Sequence, residues 1–168
     1  MNLFHIMALA TLTSISSAAF AESSFEAFTK PSVIRLDTAA SNPISIKGPA
    51  VIQFWASWCV GCRKTMETVL ETIKAGKVQF LTVSLDDDPA LARKYLERAG
   101  PLAVSLQAST VVDTKQEIGA EFKISSVPTL LFIDAGGHIV ARAVGHTSAE
   151  DIHQHLNQLT KKVQSSVN

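Results

Sequence analysis

The sequence predicts an α/β domain: a central mixed β-sheet, entered through an N-terminal β-hairpin and flanked by helices. Two observations carry this. Apolar runs of strand length, at 50–55, 78–84 and 130–133, alternate with segments whose apolar residues recur at helical spacing. The only two cysteines, Cys59 and Cys62, fall where the first long run gives way to the first helical segment.

Ala50 to Trp55 has the length and the aromatic and β-branched content of a buried strand. After the cysteines, Met66, Val69, Leu70 and Ile73 lie at i, i+3, i+4 and i+7, one face of a helix. The free N–H groups and positive dipole end of a helix stabilise an anion, so a cysteine there ionises readily. Cys59 is expected at the first helical position and exposed, as the attacking thiolate. Cys62, inside the first turn and more covered, is expected to be the resolving thiol. A structural disulfide and half of a metal site are the other readings. A zinc site needs two further ligands at matching spacing, and no second C-x-x-C exists. A bridge closing so small a loop restrains the unfolded chain little. The strand before and the helix after favour a redox pair.

The stretch Trp55-Ala56-Ser57-Trp58-Cys59-Val60-Gly61-Cys62 resembles the active-site motif of the thioredoxin superfamily, W-A-x-W-C-x-x-C. Within it the chain is most similar to the TlpA/ResA-type (CcmG/DsbE-like) thiol–disulfide oxidoreductases of bacterial envelopes, over roughly residues 31–160. The resemblance implies a thioredoxin-like fold and a redox-active Cys59–Cys62 disulfide. It also bears on Val127-Pro128-Thr129. A proline before a β-like apolar run cannot donate to the ladder and belongs at the strand's start. The resemblance adds that Pro128 is cis and lies against the cysteines, with Val127 offering its backbone N–H and C=O to a substrate chain. Trp58 is expected to shield Cys59 and to offer substrates a flat apolar contact, and Trp55 to be core. Two departures stand out. Val60-Gly61 lacks the commoner proline before the second cysteine, which loosens the helix's first turn. The family's buried Asp six residues before the first cysteine, and the Glu three after the second, are here Gln53 and Thr65.

Residues 1–21 read as an export signal. Positions 3–20 carry no charged side chain, and Ala19-Phe20-Ala21 is an A-x-A cleavage pattern. Hydroxyl residues dilute the run below what a membrane span of about 20 residues needs. This leaves 22–168 as one domain, in a compartment where disulfides persist. After an arm at 22–30, Val33 to Leu36 and Ile44 to Ile46 alternate as two arms of a hairpin turning at Ser41-Asn42-Pro43. Further on, Ala75-Gly76 ends the first helix. Asp88 is expected to cap the next one, with Pro89 at its first position and Leu91, Tyr95, Leu96 and Ala99 on its buried face. Gly100-Pro101 stops it. Leu102 to Leu106 reads as a further short strand and 114–123 as a helix. A hairpin turn at 134–138 joins 130–133 to 139–144, and Gly145 ends that strand. Ser148 to Asp151 has capping-box spacing before a last helix faced by Ile152, Leu156, Leu159 and Val163.

Fifteen basic and fifteen acidic residues cancel, and no basic run suggests nucleic acid. His138, His146, His153 and His155 are read as surface residues, so no metal site and no cofactor is expected. The chemistry expected is thiol–disulfide exchange with protein disulfides or dithiols of the cell envelope. A reductant role, in cytochrome c maturation or copper-site assembly and fed by a membrane redox partner, is preferred to that of a disulfide-forming oxidant. A Cu(I)-binding module using both thiolates and a module that only docks proteins are the non-enzymatic alternatives.

Overall fold

The computed structural model describes residues 32–38, 46, 48–73 and 77–165. The expected export signal, the arm at 22–30, the turn at 41–43, the strand residues Ile44 and Ser45, the Ala75-Gly76 stop and the Val163 side chain lie outside this description.

The described elements run β1 (Val33–Arg35), β2 (Ala50–Trp55), α1 (Cys62–Thr72), β3 (Gln79–Ser84), α2 (Pro89–Glu97), a 3-10 turn (Gly100–Leu102), α3 (Ala103–Ala108), β4 (Thr110–Asp113), α4 (Glu117–Glu121), β5 (Thr129–Ile133), β6 (Ile139–Val144) and α5 (Ala149–Ser165). They form a six-stranded sheet in the order β1-β4-β3-β2-β5-β6. The pairs β2–β3 and β3–β4 are parallel, whereas β1–β4, β2–β5 and β5–β6 are antiparallel. The sheet is therefore mixed, with β2 at its centre.

A strand paired on both edges and covered on both faces favours apolar residues on both faces, which explains the run at 50–55, interrupted only by Gln53. Ala50, Ile52 and Phe54 pack with Ile118 and Phe122 of the α4 region on one face. On the other, Val51 meets Val69, Ile152 and Leu156, while Trp55 meets Met66, Leu96 and Leu106. The Trp55 indole N–H is satisfied inside the core by Thr82 Oγ1 at 3.1 Å.

Local signals hold where the partners are close in sequence. Asp88 accepts from the Ala90 N–H at 2.8 Å with Pro89 opening α2. Ser148 Oγ accepts from the Asp151 N–H at 3.1 Å and donates to its carboxylate. The 134–138 turn joins β5 to β6, and its Asp134 carboxylate gathers the Gly136 and His138 N–H groups at 2.9 Å each.

Two expectations are corrected. Leu102 to Leu106 is helical, not a strand: the apparent alternation of Leu102, Val104 and Leu106 is an i, i+4 pair facing the core with Val104 on the opposite, exposed side. The strand in this region is β4, which lies between the edge strand β1 and β3 and has all four residues buried. The helix read at 114–123 is only α4. Gln116 adopts a left-handed φ of 55° just before it, and the buried Asp113 carboxylate takes the Glu117 and Gly119 N–H groups at 2.9 Å each. The first strand of the expected N-terminal hairpin is present as β1, and among the described residues it hydrogen-bonds to β4, 75 or more residues away in sequence. Of the expected second hairpin arm only Ile46 is described, and it packs on the core without joining a strand.

Candidate active site

The cysteine turn leaves the sheet at the end of β2. Its geometry follows from backbone groups that the turn must satisfy. The Cys59 N–H donates to the Ala56 C=O at 3.0 Å and the Cys62 N–H to the Cys59 C=O at 3.4 Å. Cys62, not Cys59, opens α1, and Gly61 precedes it as a cap without a side-chain bond. The expectation of Cys59 as the first helical residue is thus corrected by three positions. The expectation of its exposure is corrected too: Cys59 and Cys62 are joined in a disulfide, with Cys59 only 7% exposed and Cys62 fully buried. The order of access is as expected, and both sulfurs lie at the positive end of α1.

Around the disulfide, the apolar rim is Trp58, 73% exposed, and Val60, 97% exposed. Trp55 is core. Val127 packs against the cluster that contains both cysteines, and the Val127–Pro128 peptide bond is cis. The register Phe54↔Thr129 sets Pro128 at the same end of the sheet as the cysteine turn. The structure therefore brings together Trp58, Cys59, Cys62, Val127 and Pro128.

Three residues at this site escaped the sequence reading. Asp86, buried, accepts from the Ser57 N–H at 3.0 Å, the Ser57 hydroxyl at 2.8 Å and the Ser84 hydroxyl at 2.6 Å, and so pins the residue before Trp58. No signal in the sequence marks this contact, which arises only from the parallel register Trp55↔Ser84 that sets Asp86 level with Ser57. Tyr95, read as core, donates its hydroxyl to the Cys59 C=O and accepts from the Arg63 N–H, both at 2.9 Å. Burial pushes the Tyr95 phenol up, against the lowering effect of the Arg63 N–H, so it stays a neutral donor. Gln53, noted only as a departure, is fully buried and donates from Nε2 to the Cys62 C=O at 2.9 Å. The Thr65 hydroxyl is turned back onto the Gly61 C=O at 3.3 Å.

His146 follows Gly145, whose N–H donates to the Pro128 C=O at 2.8 Å, whereas His138 and His155 are engaged elsewhere. His138 contacts Asp134 at 3.2 Å and the His155 ring packs on Phe132 with centroids 4.7 Å apart. Among the described residues no group of three or more His, Cys, Asp or Glu is arranged to hold a metal ion.

A C-x-x-C disulfide at a β–α junction, set beside a cis-proline strand on a mixed sheet, defines a thioredoxin-fold disulfide protein. The comparisons agree. A family model for thioredoxin-like domains matches residues 36–160, and the chain belongs to that family. The thiol-disulfide oxidoreductase ResA of Geobacillus kaustophilus is 26% identical over 111 residues, covering 64% of this chain and 61% of its own length. The sporulation thiol-disulfide oxidoreductase A of Bacillus subtilis is 26% identical over 159 residues, covering 89% of this chain and 92% of its own. Among the first ResA relatives the chain spans only 61% to 66% of their length. Among solved structures, a secreted Mycobacterium tuberculosis disulfide oxidoreductase homologous to E. coli DsbE superposes with a TM-score of 0.61 at 18% identity. That alignment covers 80% of this chain and 98% of the other, and at this identity it establishes the fold.

Proposed function

We propose that the protein is a protein thiol–disulfide oxidoreductase working through Cys59 and Cys62. The observation that carries this is the Cys59–Cys62 disulfide itself, with Cys62 fully buried at a helix N-terminus and Cys59 slightly more accessible, beside exposed Trp58 and Val60. A Cys59 thiolate attacks a partner disulfide, and the Cys62 thiol then attacks the Cys59 sulfur, releasing the reduced partner and closing the C-x-x-C. The reverse sequence oxidises a dithiol. Trp58 supplies the apolar platform for the partner, and the Val127 backbone beside Pro128 pairs with its extended chain in the manner of strand addition. The similarity to thiol-disulfide oxidoreductases supports the activity.

The preferred direction is reduction of envelope proteins, as in cytochrome c maturation or copper-site assembly, with electrons from a membrane donor. The charge-free stretch at 3–20 and the Ala19-Phe20-Ala21 pattern support export, with 22–168 as the mature domain. Among the described residues no helix is long and apolar enough to cross a membrane.

The test is turnover of insulin disulfides by the purified protein with a dithiol as electron donor. Turnover no faster than that of the Cys59→Ser, Cys62→Ser double variant would end this reading. Equilibration with glutathione then gives direction: a potential near about −270 mV marks a reductant and one near about −120 mV a strong oxidant.

A further inference from the structure

Among the described residues, Gln53 Oε1 and His155 Nδ1 are the two buried side-chain polar atoms without a hydrogen-bond partner. Gln53 lies on β2, on the face shared with Val51 and Trp55, under the cysteine turn. Its orientation is dictated by chemistry. The Cys62 C=O is an acceptor, so the amide must turn Nε2 towards it, as the 2.9 Å contact shows. Oε1, on the same rigid amide, is thereby left buried under the cysteine turn with nothing to accept from. A buried acceptor left unpaired is costly, and such an atom beside a reactive group calls for a reason.

The disulfide state supplies the reason. In a disulfide, Cys62 Sγ has no hydrogen to give. Reduction by a partner dithiol breaks the Cys59–Cys62 S–S bond and forms one in the partner. Two electrons and two protons pass to the pair, leaving Cys59 and Cys62 as thiols. The new Cys62 S–H arises at a fully buried residue packed in an apolar cluster, with the Gln53 amide against its backbone. We infer that Gln53 Oε1 accepts the hydrogen bond of the Cys62 S–H in the reduced protein, which makes Gln53 a positioning residue that selectively stabilises the dithiol. The inference rests on the exchange reaction proposed above and deepens it. A carboxamide has no proton-accepting form near neutral pH, so Gln53 orients the Cys62 proton and leaves it on sulfur. A carboxylate at this position would take that proton.

Gln53 thus gives the reduced state a hydrogen bond that the oxidised state lacks, and makes the disulfide easier to reduce. The bond from Nε2 to the Cys62 C=O is made by backbone and side chain alone and cancels between the two states. Gln53→Leu, equilibrated with glutathione, is expected to shift the dithiol–disulfide constant about three- to tenfold towards the disulfide. Tenfold corresponds to a potential about 30 mV more negative for this two-electron couple. An unchanged or less negative potential overturns the inference.

A second measurement does not depend on that variant folding. Cys59→Ser leaves Cys62 as the sole thiol, and the infrared S–H stretching band then reports its bonding with Gln53 in place. A band shifted down and narrowed relative to a free thiol is expected, and a band at the free-thiol position overturns the inference. Neither readout involves a protein substrate. A protein that passes both yet fails to turn over insulin would sink the proposed function and leave the role of Gln53 standing.

Discussion

The Tyr95 hydroxyl donates to the Cys59 carbonyl across 36 residues of sequence at 2.9 Å, and the same oxygen accepts from the Arg63 N–H. One side chain of α2 thus ties both ends of the cysteine turn. It satisfies a donor in the first turn of α1 that the helix itself leaves orphaned. Its ring rests on Trp55 with centroids 5.0 Å apart, so the anchor is itself held by the core.

Tyr95→Phe keeps that ring contact and removes both hydrogen bonds. The expected cost is about 1–2 kcal/mol of stability in the oxidised protein. It is read as a lower urea midpoint with an unchanged slope. A wild-type midpoint would mean that the bridge contributes nothing.

Asp86→Ala removes the acceptor shared by the Ser57 N–H, the Ser57 hydroxyl and the Ser84 hydroxyl. Buried donors are left unpaired, at a cost of about 1–3 kcal/mol. Because Ser57 leads into Trp58 and Cys59, exchange with insulin should also slow. Equal loss of stability without slower exchange would confine Asp86 to a scaffold role.

The division of labour between the cysteines has its own test. Cys62→Ser should trap a mixed disulfide between Cys59 and a protein substrate, visible on a non-reducing gel, because the thiol that resolves it is gone. Cys59→Ser should trap none. The opposite pattern reverses the assignment.

Trp58 is 73% exposed, and little of the fold depends on it. Trp58→Ala should leave stability within about 0.5 kcal/mol. Loss of an exposed aromatic anchor should lower kcat/KM for protein disulfides by about fivefold or more, while small-molecule disulfides react at near wild-type rates. Equal loss on both substrate classes would argue against a docking role.

Acid sensitivity should arise in part at the β5–β6 turn. Burial works against the Asp134 carboxylate, but the N–H groups of His138 and Gly136 and the His138 ring outweigh it and hold the carboxyl below its usual range. A lowered carboxyl contributes stability above its unfolded value of about 3.9, and that contribution is lost as pH falls through the folded value. The urea midpoint of the wild type should therefore drop below about pH 4 more steeply than that of Asp134→Asn. Parallel acid limbs would show that this carboxylate does not couple folding to pH.

What the sequence determined by itself was set by neighbours in the chain. The buried strand Ala50–Trp55, the Asp88 cap on Ala90 and the Ser148–Asp151 box all follow from contacts within a few residues or from a largely apolar run. The Cys59–Val60–Gly61–Cys62 spacing located the site for the same reason. The tertiary structure decided what faces the disulfide from afar: Asp86 on Ser57 at a separation of 29 residues, Tyr95 on Cys59 at 36, and Gln53 under Cys62. It also decided that β4 takes β1 as its edge partner and that 103–108 is helical. Apolar periodicity reports which face of an element is buried. It carries no record of which distant polar group will meet an orphaned N–H or C=O there, because that pairing exists only once the sheet register has brought the two together.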